Sequence, residues 1–238
     1  MTVCNGCIIT CEHGGNRVPA RYTDLFSAHE KELESPRGYD PGALELARAI
    51  ATALGAPFLY STMTRLLVEL NRSNKSNTLF SPITRSLDRA EKDWLFQNYY
   101  MPYLNRVEKG IASLCGEGRR VMHISVHSFP CVRRDPPHPV DVGLLYDLRR
   151  PAEKNFCRAW GSVLRDEWPQ YRVRMNYPYT GKADRLTAQL RKRFPAKSYA
   201  GVELQVSQRR YDGARREWNA FKSDVVEALV RTVQGRAY

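Results

Sequence analysis

Hydrophobic and polar residues alternate along this chain with two periods, one typical of strands and the other of helices. The run Cys7–Cys11 is short, mostly apolar and followed directly by polar residues, which predicts a buried strand that ends in a loop. The segment 41–54 has apolar residues at helical spacing, a proline at its start and Gly55 after its end, which predicts a helix. The same criteria predict further strands at 57–61, 66–70, 121–126, 142–146, 171–175 and 201–206, and further helices at 86–114 (with Pro102 as a candidate break), 153–165, 183–194 and 215–233.

The alternation of strands with helices predicts the fold class. It indicates an α/β protein with helices on both faces of a largely parallel sheet, which is a three-layer α/β/α sandwich. The chain has 238 residues and contains neither an internal repeat nor a low-complexity linker, so we predict one domain over 1–238. In such sheets the functional site lies beyond the carboxyl ends of the strands.

Composition narrows the class of protein. Hydrophobic residues make up 42% of the chain, which is enough for a sizeable core. No apolar run approaches the length of a membrane-spanning helix, and the first residues do not resemble a secretory signal. Six cysteines in a chain of this length do not indicate a disulfide scaffold. We therefore expect free thiols and a cytoplasmic protein.

The net charge of +12 allows two explanations, nucleic-acid binding and attraction of an acidic substrate. The basic residues are scattered in small clusters, and no helix-turn-helix, RNP-like strand or zinc-finger spacing accompanies them. Most of these clusters are expected to be solvated surface, with a few that steer a small anionic substrate. A non-catalytic protein that binds anions or nucleic acid remains an alternative, although nucleic acid is the less favoured partner.

Two histidines follow predicted strands. His13 and His127 each lie beside small residues that leave room for a ligand, and neutral imidazole is the commonest zinc ligand in proteins. Three residues from His13 the chain has Asn16, a neutral amide, so Glu12 or Asp40 could supply an anionic oxygen instead. Packed or surface histidines are the alternative interpretation.

Two further features could bind or activate a substrate. Asn71 and Arg72 follow the strand predicted at 66–70, and a guanidinium can hold a carboxylate through two hydrogen bonds. An exposed loop is the alternative for this pair. Glu203 lies between apolar residues of a predicted strand, where a carboxylate is disfavoured unless it faces a functional cavity or an ion partner. Partial burial would raise its pKa toward the range useful to a general base.

These features occur within a longer pattern that resembles the N-formylglutamate amidohydrolase family. The stretch from Glu12 to Pro19 is similar to the first motif of that family, and the stretch from Gly38 to Ala43 is similar to the second. Four later blocks follow in the same order, at 66–73, 123–130, 140–147 and 201–209. Six ordered blocks that extend from about residue 8 to about residue 210 are more specific than any single motif.

The resemblance implies a fold like that of the zinc carboxypeptidases, with a mixed sheet, and a bound zinc ion. It implies that His13 and His127 are zinc ligands, with Asn16 at the third position, and that Glu203 is the catalytic base. The substrate carboxylate is then expected to bind Asn71 and Arg72, and Arg65 and Asp40 are further candidates for substrate binding.

The implied activity is the zinc-dependent hydrolysis of N-formyl-L-glutamate or a similar N-acyl amino acid to the free amino acid and a carboxylate. Three positions depart from the family pattern. Asn16 stands where related deacylases have Glu, Ser125 stands where the family block often has Asp, and Arg185 replaces an expected glycine. A hydrolase of the same fold that acts on another N-acyl amino acid or a peptide-like amide is therefore the main alternative.

Overall fold

A six-stranded sheet organises the chain, in a computed structural model that describes residues 6–130, 139–181 and 183–235. The strands are β1 Cys7–Cys11, β2 Phe58–Tyr60, β3 Val121–Phe129, β4 Val142–Leu145, β5 Val173–Met175 and β6 Tyr199–Ser207. The helices are α1 Thr23–Phe26, α2 Glu30–Leu33, α3 Ala43–Leu54, α4 Pro82–Arg85, α5 Arg89–Leu95, α6 Met101–Gly116, α7 Pro151–Glu167, α8 Leu186–Arg193, α9 Gln208–Asp212 and α10 Arg215–Gln234. Their alternation confirms the predicted α/β class.

The strand order is β2-β1-β3-β6-β4-β5. The four strands β2, β1, β3 and β6 are parallel to one another, whereas β4 runs antiparallel to β6 and pairs in parallel with β5. The sheet is therefore mixed and largely parallel, as predicted. The two longest strands, β3 and β6, lie at its centre and are buried along their whole length.

The two faces of the sheet differ in chemistry. On one face, apolar side chains of β1, β3, β4 and β6 pack against α3, α7 and α10 in the largest hydrophobic cluster. On the other face, α6 and α8 cover a smaller apolar cluster near the amino ends of the parallel strands. Because side chains alternate along a strand, the positions of β3 that share this second face include His123, Ser125 and His127. The second face thus becomes polar toward the carboxyl ends of the strands.

The segment 66–70, predicted as a strand, is a buried turn, so that prediction is wrong. Leu66 and Leu67 pack in a third apolar cluster, with Tyr22 and Leu95 among its members. A short apolar run indicates that its residues are buried, but residues of a loop can be buried as fully as those of a strand. The turn carries the one charged residue of the run, Glu69, into the interior, where it is 7% exposed.

The region predicted as one helix at 86–114 contains a π-helical stretch, Phe96–Tyr100, between α5 and α6. Pro102 follows this stretch and has no N–H to donate to the preceding turn. The widened turn accommodates the proline, so the helical region continues without the predicted break.

Two further sequence-based expectations can be compared with the structure. None of the helices within the described residues has both the length and the apolar character needed to cross a membrane. Among the cysteines of the same residues, Cys11, Cys115 and Cys157 are free thiols as expected, whereas Cys7 is disulfide-bonded, contrary to the expectation.

Candidate metal centre

Two histidine rings meet at the carboxyl ends of neighbouring strands. His13 lies two residues after β1, and its main-chain carbonyl accepts a hydrogen bond from the main-chain N–H of Asp40 at 2.9 Å. His127 was expected to follow its strand, but it lies within β3 because pairing with β6 continues as far as Phe129. Both rings are buried, and their centroids are 5.0 Å apart.

One carboxylate joins the two rings. The Oδ2 atom of Asp40 lies 3.2 Å from Nδ1 of His13 and 2.8 Å from Nδ1 of His127. One ligand atom from each of the three residues can be chosen so that all lie within 4.8 Å of one another. Two imidazoles and a carboxylate form a donor set that catalytic zinc sites use, with a remaining position for water or substrate. Asp40, predicted as a substrate-binding residue or an alternative ligand, is therefore the third member of this candidate ligand set.

The opposite nitrogen of each ring faces a second layer of polar groups. Nε2 of His13 contacts the carboxylate of Glu69. Nε2 of His127 lies 3.1 Å from Oε2 of Glu12 and 2.9 Å from the hydroxyl of Ser125. Histidine ligands of metals commonly donate their other ring N–H to a carboxylate, which fixes the tautomer and the ring orientation. With the proton on Nε2, each Nδ1 lone pair points at Asp40, so a cation between these atoms would suit the arrangement.

The cluster has an excess of negative charge. Three buried carboxylates and one guanidinium surround the imidazoles, namely Glu12, Asp40, Glu69 and Arg65. When both imidazoles are neutral, these groups leave a formal charge of −2. Because buried charge is costly unless it is paired, a divalent cation fits this cluster.

The pKa shifts at the site arise from the contacts between the imidazoles and the carboxylates. Burial favours the neutral form of His127, but hydrogen bonds and charge from Asp40 and Glu12 raise its pKa to about 10. Burial also opposes ionisation of Glu12, yet His127 lowers the pKa of that carboxyl to about 2. The pKa of Asp40 is likewise held well below its usual range, because His13 and His127 outweigh its burial. The site therefore stabilises positive charge at His127, as a proton or as a neighbouring metal ion.

Asn16 does not join the histidines, so its prediction as third ligand is corrected. Its amide nitrogen donates to the carbonyl of Leu33 at 3.2 Å and to the carboxylate of Glu34 at 2.9 Å. The reason lies in the backbone after His13, which runs alongside 61–63 through hydrogen bonds such as that from the N–H of Arg17 to the carbonyl of Thr62. A backbone held in this way does not return its third residue to the side of the first, as a helical turn would.

Arg65 and Asn71 lie in the site, but each is bound to protein groups. Arg65 donates to Glu69 through Nε at 2.8 Å and to Asp40 through Nη1 at 3.2 Å. The Nδ2 atom of Asn71 lies 3.1 Å from Nε2 of His127, while its Oδ1 accepts the N–H of Leu186 at 2.8 Å. Both residues thus hold the candidate metal centre in place rather than offering a free surface to a substrate carboxylate.

Arg72 is half-buried beside this centre. Its Nη1 donates to the carbonyl of Asp184 at 3.0 Å, and its own carbonyl accepts the hydroxyl of Tyr100 at 2.8 Å. Among the described residues Arg72 has no ion pair with a carboxylate. Asn71 and Arg72 were both predicted to hold a substrate carboxylate. Asn71 is bound to protein groups, whereas the guanidinium of Arg72 is available to bind a carboxylate.

Glu203 is buried in an ion pair. Its Oε2 accepts Nη1 of Arg185 at 2.9 Å, and its Oε1 accepts the hydroxyl of Thr187 at 2.8 Å. On the sheet its partner in register is Ser125, one step before His127 on the same face. Within the described part of the chain, Glu203 makes no hydrogen bond to either histidine. A role as base requires one oxygen to leave its present donor, so the assignment stays a prediction.

Sequence reasoning missed two residues of the second layer. Glu69 follows Val68 in an apolar run, which is the same signal that singled out Glu203. Because 66–70 was incorrectly predicted as a strand, Glu69 was not assigned to the site. Tyr103 of α6 donates its hydroxyl to Oε1 of Glu12 at 2.8 Å, and no motif marked it. Ser125 was noted only as a departure from the family block, although its hydroxyl donates to Glu12 at 2.7 Å.

Comparison with known proteins shows similarity in fold and in sequence. A solved structure of a gene product from Agrobacterium tumefaciens is 25% identical, with a TM-score of 0.80 over 96% of this chain and 89% of the other. The solved structure of an N-formylglutamate amidohydrolase from Ralstonia eutropha JMP134 is 17% identical, with a TM-score of 0.74 over 96% of this chain and 93% of the other, a level that shows the common fold. No curated protein matches the chain. Residues 6–211 match the sequence model of the N-formylglutamate amidohydrolases, and the chain therefore belongs to the N-formylglutamate amidohydrolase family.

Proposed function

We propose that this protein is a zinc-dependent amidohydrolase that cleaves N-formyl-L-glutamate or a similar N-acyl amino acid. Water adds to the acyl carbon, the bond between that carbon and nitrogen breaks, and the products are a carboxylate and a free amino acid. The observation that carries the proposal is the convergence of His13 Nδ1, Asp40 Oδ2 and His127 Nδ1 in a buried, negatively charged cluster. Membership of the family supports the type of reaction.

The protein groups have separate tasks in this proposal. His13, Asp40 and His127 would hold the zinc ion, which when bound polarises the acyl oxygen and lowers the pKa of a water molecule toward about 7. The carboxylates Glu69 and Glu12 orient the two rings by accepting their Nε2 protons. These contacts keep the ligand atoms fixed, so that little reorganisation is needed when substrate binds.

Two residues act on the substrate in the proposal. Arg72, half-buried next to the centre, binds a substrate carboxylate and so orients the acyl carbon. Glu203 accepts a proton from the attacking water and donates it to the leaving amine. For this step, Glu203 must exchange its hydrogen bond from Thr187 for one from water, while Arg185 retains the other oxygen.

A metal analysis with a matched control tests the proposal. Protein purified without chelator and supplied with zinc should bind about one equivalent per chain, and His13→Ala and His127→Ala should lose it. Asn16→Ala is the control, because the amide of Asn16 binds Leu33 and Glu34 instead. If His127→Ala retained zinc as tightly as the unmodified chain, the proposed centre would be wrong.

The substrate requires a separate measurement. Release of free amino acid from N-formyl-L-glutamate should be compared with release from the N-acetyl and N-succinyl derivatives, and with other N-formyl amino acids. Turnover that is lost with chelator and restored by zinc supports the proposed reaction. Zinc-loaded protein that hydrolyses none of these N-acyl amino acids would refute it.

A further inference from the structure

Arg185 has hydrogen-bonding capacity that the protein does not use. The residue precedes α8 and is 6% exposed. Its Nη1 donates to Glu203, and the ring of Tyr179 covers its guanidinium, with the central carbon 4.4 Å from the ring centroid. Its Nε is buried and has no hydrogen-bond partner. A guanidinium has five N–H donors, and for Arg185 a single hydrogen bond is observed within the described residues.

An unpaired charged donor in the interior needs an explanation. Leaving a buried polar group unsatisfied costs free energy, and the cost is larger for a charged group, so such groups in native proteins usually await a ligand or water. The free Nε of Arg185 and its neighbouring Nη2 form one edge of the guanidinium. That edge has the geometry that binds both oxygens of a carboxylate in two parallel hydrogen bonds.

The residues on either side of Arg185 contact residues of the candidate site. The guanidinium of Arg72 contacts the carbonyl of the preceding residue, Asp184, at 3.0 Å. The N–H of the following residue, Leu186, binds Asn71, whose amide lies 3.1 Å from His127. Asn71 therefore places the backbone beside Arg185 close to a proposed metal ligand.

Tyr179 covers one face of Arg185. Its ring lies over the guanidinium, and the tyrosine itself is 46% exposed. Arg185 is therefore buried directly beneath a side chain that reaches solvent.

We propose that Arg185 is a specificity-determining residue that binds a second carboxylate of the substrate through its Nε and Nη2 edge. Arg72 then holds one carboxylate and Arg185 the other, and Glu203 positions Arg185 through their ion pair. The site selects N-acyl derivatives of amino acids with an acidic side chain over neutral derivatives of the same size. This inference rests on the proposed function, because it assigns a substrate class to the same site.

A pair of nearly isosteric substrates measures the selection. N-formyl-L-glutamate and N-formyl-L-glutamine differ by one charge, and we expect the unmodified enzyme to favour the acid by about 30-fold or more in kcat/KM, since a bidentate charged pair of this kind is worth upwards of about 2 kcal/mol. Arg185→Lys replaces the Nε and Nη2 edge by a single ammonium group, which cannot make two parallel hydrogen bonds to a carboxylate. It should reduce that ratio at least about tenfold, mainly by raising KM for the acid.

Arg191→Lys is the matched control. Arg191, a buried arginine of α8, is likewise paired with a buried glutamate, Glu153, through Nε at 3.0 Å. The Arg191→Lys substitution makes the same chemical change as Arg185→Lys without altering Arg72, Arg185 or the proposed ligands. It should therefore leave the ratio of kcat/KM between the two substrates unchanged. An Arg185→Lys enzyme with the ratio of the unmodified enzyme would overturn the inference.

A binding measurement keeps this inference separate from the proposed reaction. Calorimetric titration with N-acetyl-L-glutamate and N-acetyl-L-glutamine requires no turnover. The double variant Arg185→Gln/Glu203→Gln removes both charges of the pair and so avoids an unpaired buried carboxylate. Preference for the acid that disappears in this folded variant supports the role of Arg185 even if no N-formyl substrate is hydrolysed. Equal preference in the variant and the unmodified protein would reject that role even if hydrolysis is found.

Discussion

The ion pair between Glu203 and Arg185 allows one substitution to separate a structural role from a catalytic one. Glu203→Gln preserves the size of the side chain but leaves the guanidinium of Arg185 buried without a counter-charge. Breaking a buried pair by removing one partner costs about 3–5 kcal/mol. For a domain of this length, each kcal/mol shifts the melting temperature by about 2–4 °C. The Glu203→Gln protein should therefore melt about 6–20 °C below the unmodified protein.

The catalytic role predicts a second, independent effect. If Glu203 accepts the proton from water, Glu203→Gln should also lower kcat by about 10²–10⁴-fold per folded molecule, the usual contribution of a general base. The double variant Arg185→Gln/Glu203→Gln distinguishes the two effects. Removing both charges together is often nearly neutral for stability, so the melting temperature should largely recover. The loss of kcat, measured at saturating substrate, should persist because the proton acceptor is still missing.

The assay combines three measurements on one preparation of each variant: melting temperature, zinc stoichiometry and kcat at a temperature where all variants are folded. Zinc content should be equal in all of them, because Glu203 makes no hydrogen bond to the proposed ligands among the described residues. A Glu203→Gln enzyme with unchanged kcat would remove Glu203 from the chemical step and leave it as the anchor of Arg185. A Glu203→Gln protein with an unchanged melting temperature would refute the argument from the buried ion pair.

Three further predictions follow from the site and its surroundings. Glu69→Gln should weaken zinc affinity by about 10–100-fold, measured by competition with a chelator, because it removes the acceptor for Nε2 of His13; unchanged affinity would contradict the role of the second layer. Arg72→Ala should raise KM for N-formyl-L-glutamate by an amount equivalent to about 2–5 kcal/mol, with little rescue by Arg72→Lys, and an unchanged KM would exclude Arg72 from substrate binding. Burial lowers the pKa of His123 to about 4, so the unfolded chain binds a proton between pH 6.5 and 4 that the folded chain does not. Its contribution of about 3 kcal/mol to stability is present above pH 6.5 and is lost as the pH falls toward 4; denaturant unfolding of His123→Gln should show a shallower decline over this window, and an identical decline would refute the assignment.

The sequence predicted elements best where the apolar period was long and its ends were marked. The predicted bounds of β1 agree with the structure, and α3 and α10 differ from their predictions by two residues or fewer. Each has a clear period or is bounded by proline, glycine or polar residues. The segment 66–70 had neither a period nor a marked end, so its apolar character indicated burial without indicating conformation. The direction of β4 was also not predictable, because local pattern does not determine which strand becomes its neighbour.

For the site, the sequence identified residue types better than partners. His13, His127 and Asp40 were all candidates, and the structure brings them together. The third ligand could not be chosen between Asn16, Glu12 and Asp40, because the choice depends on the backbone path after His13. Likewise, Glu203 was expected to need a buried role, but its pairing with Arg185 joins two elements that only the folded sheet places side by side. Long-range pairing of this kind leaves no local signal in a single sequence.

The turn between Asp40 and α3 has a consequence for the study of fragments. Gly42 has a φ of 78°, and a β-carbon there would lie 2.7 Å from the ring of Tyr211 and 3.0 Å from that of Trp218. The loop that carries Asp40 is therefore pressed against the two C-terminal helices, α9 and α10. A shortened chain without those helices would keep every proposed ligand in its sequence but would lack the surface that sets the position of one of them. Failure of such a fragment to bind metal would report on the missing helices and not on the ligands themselves.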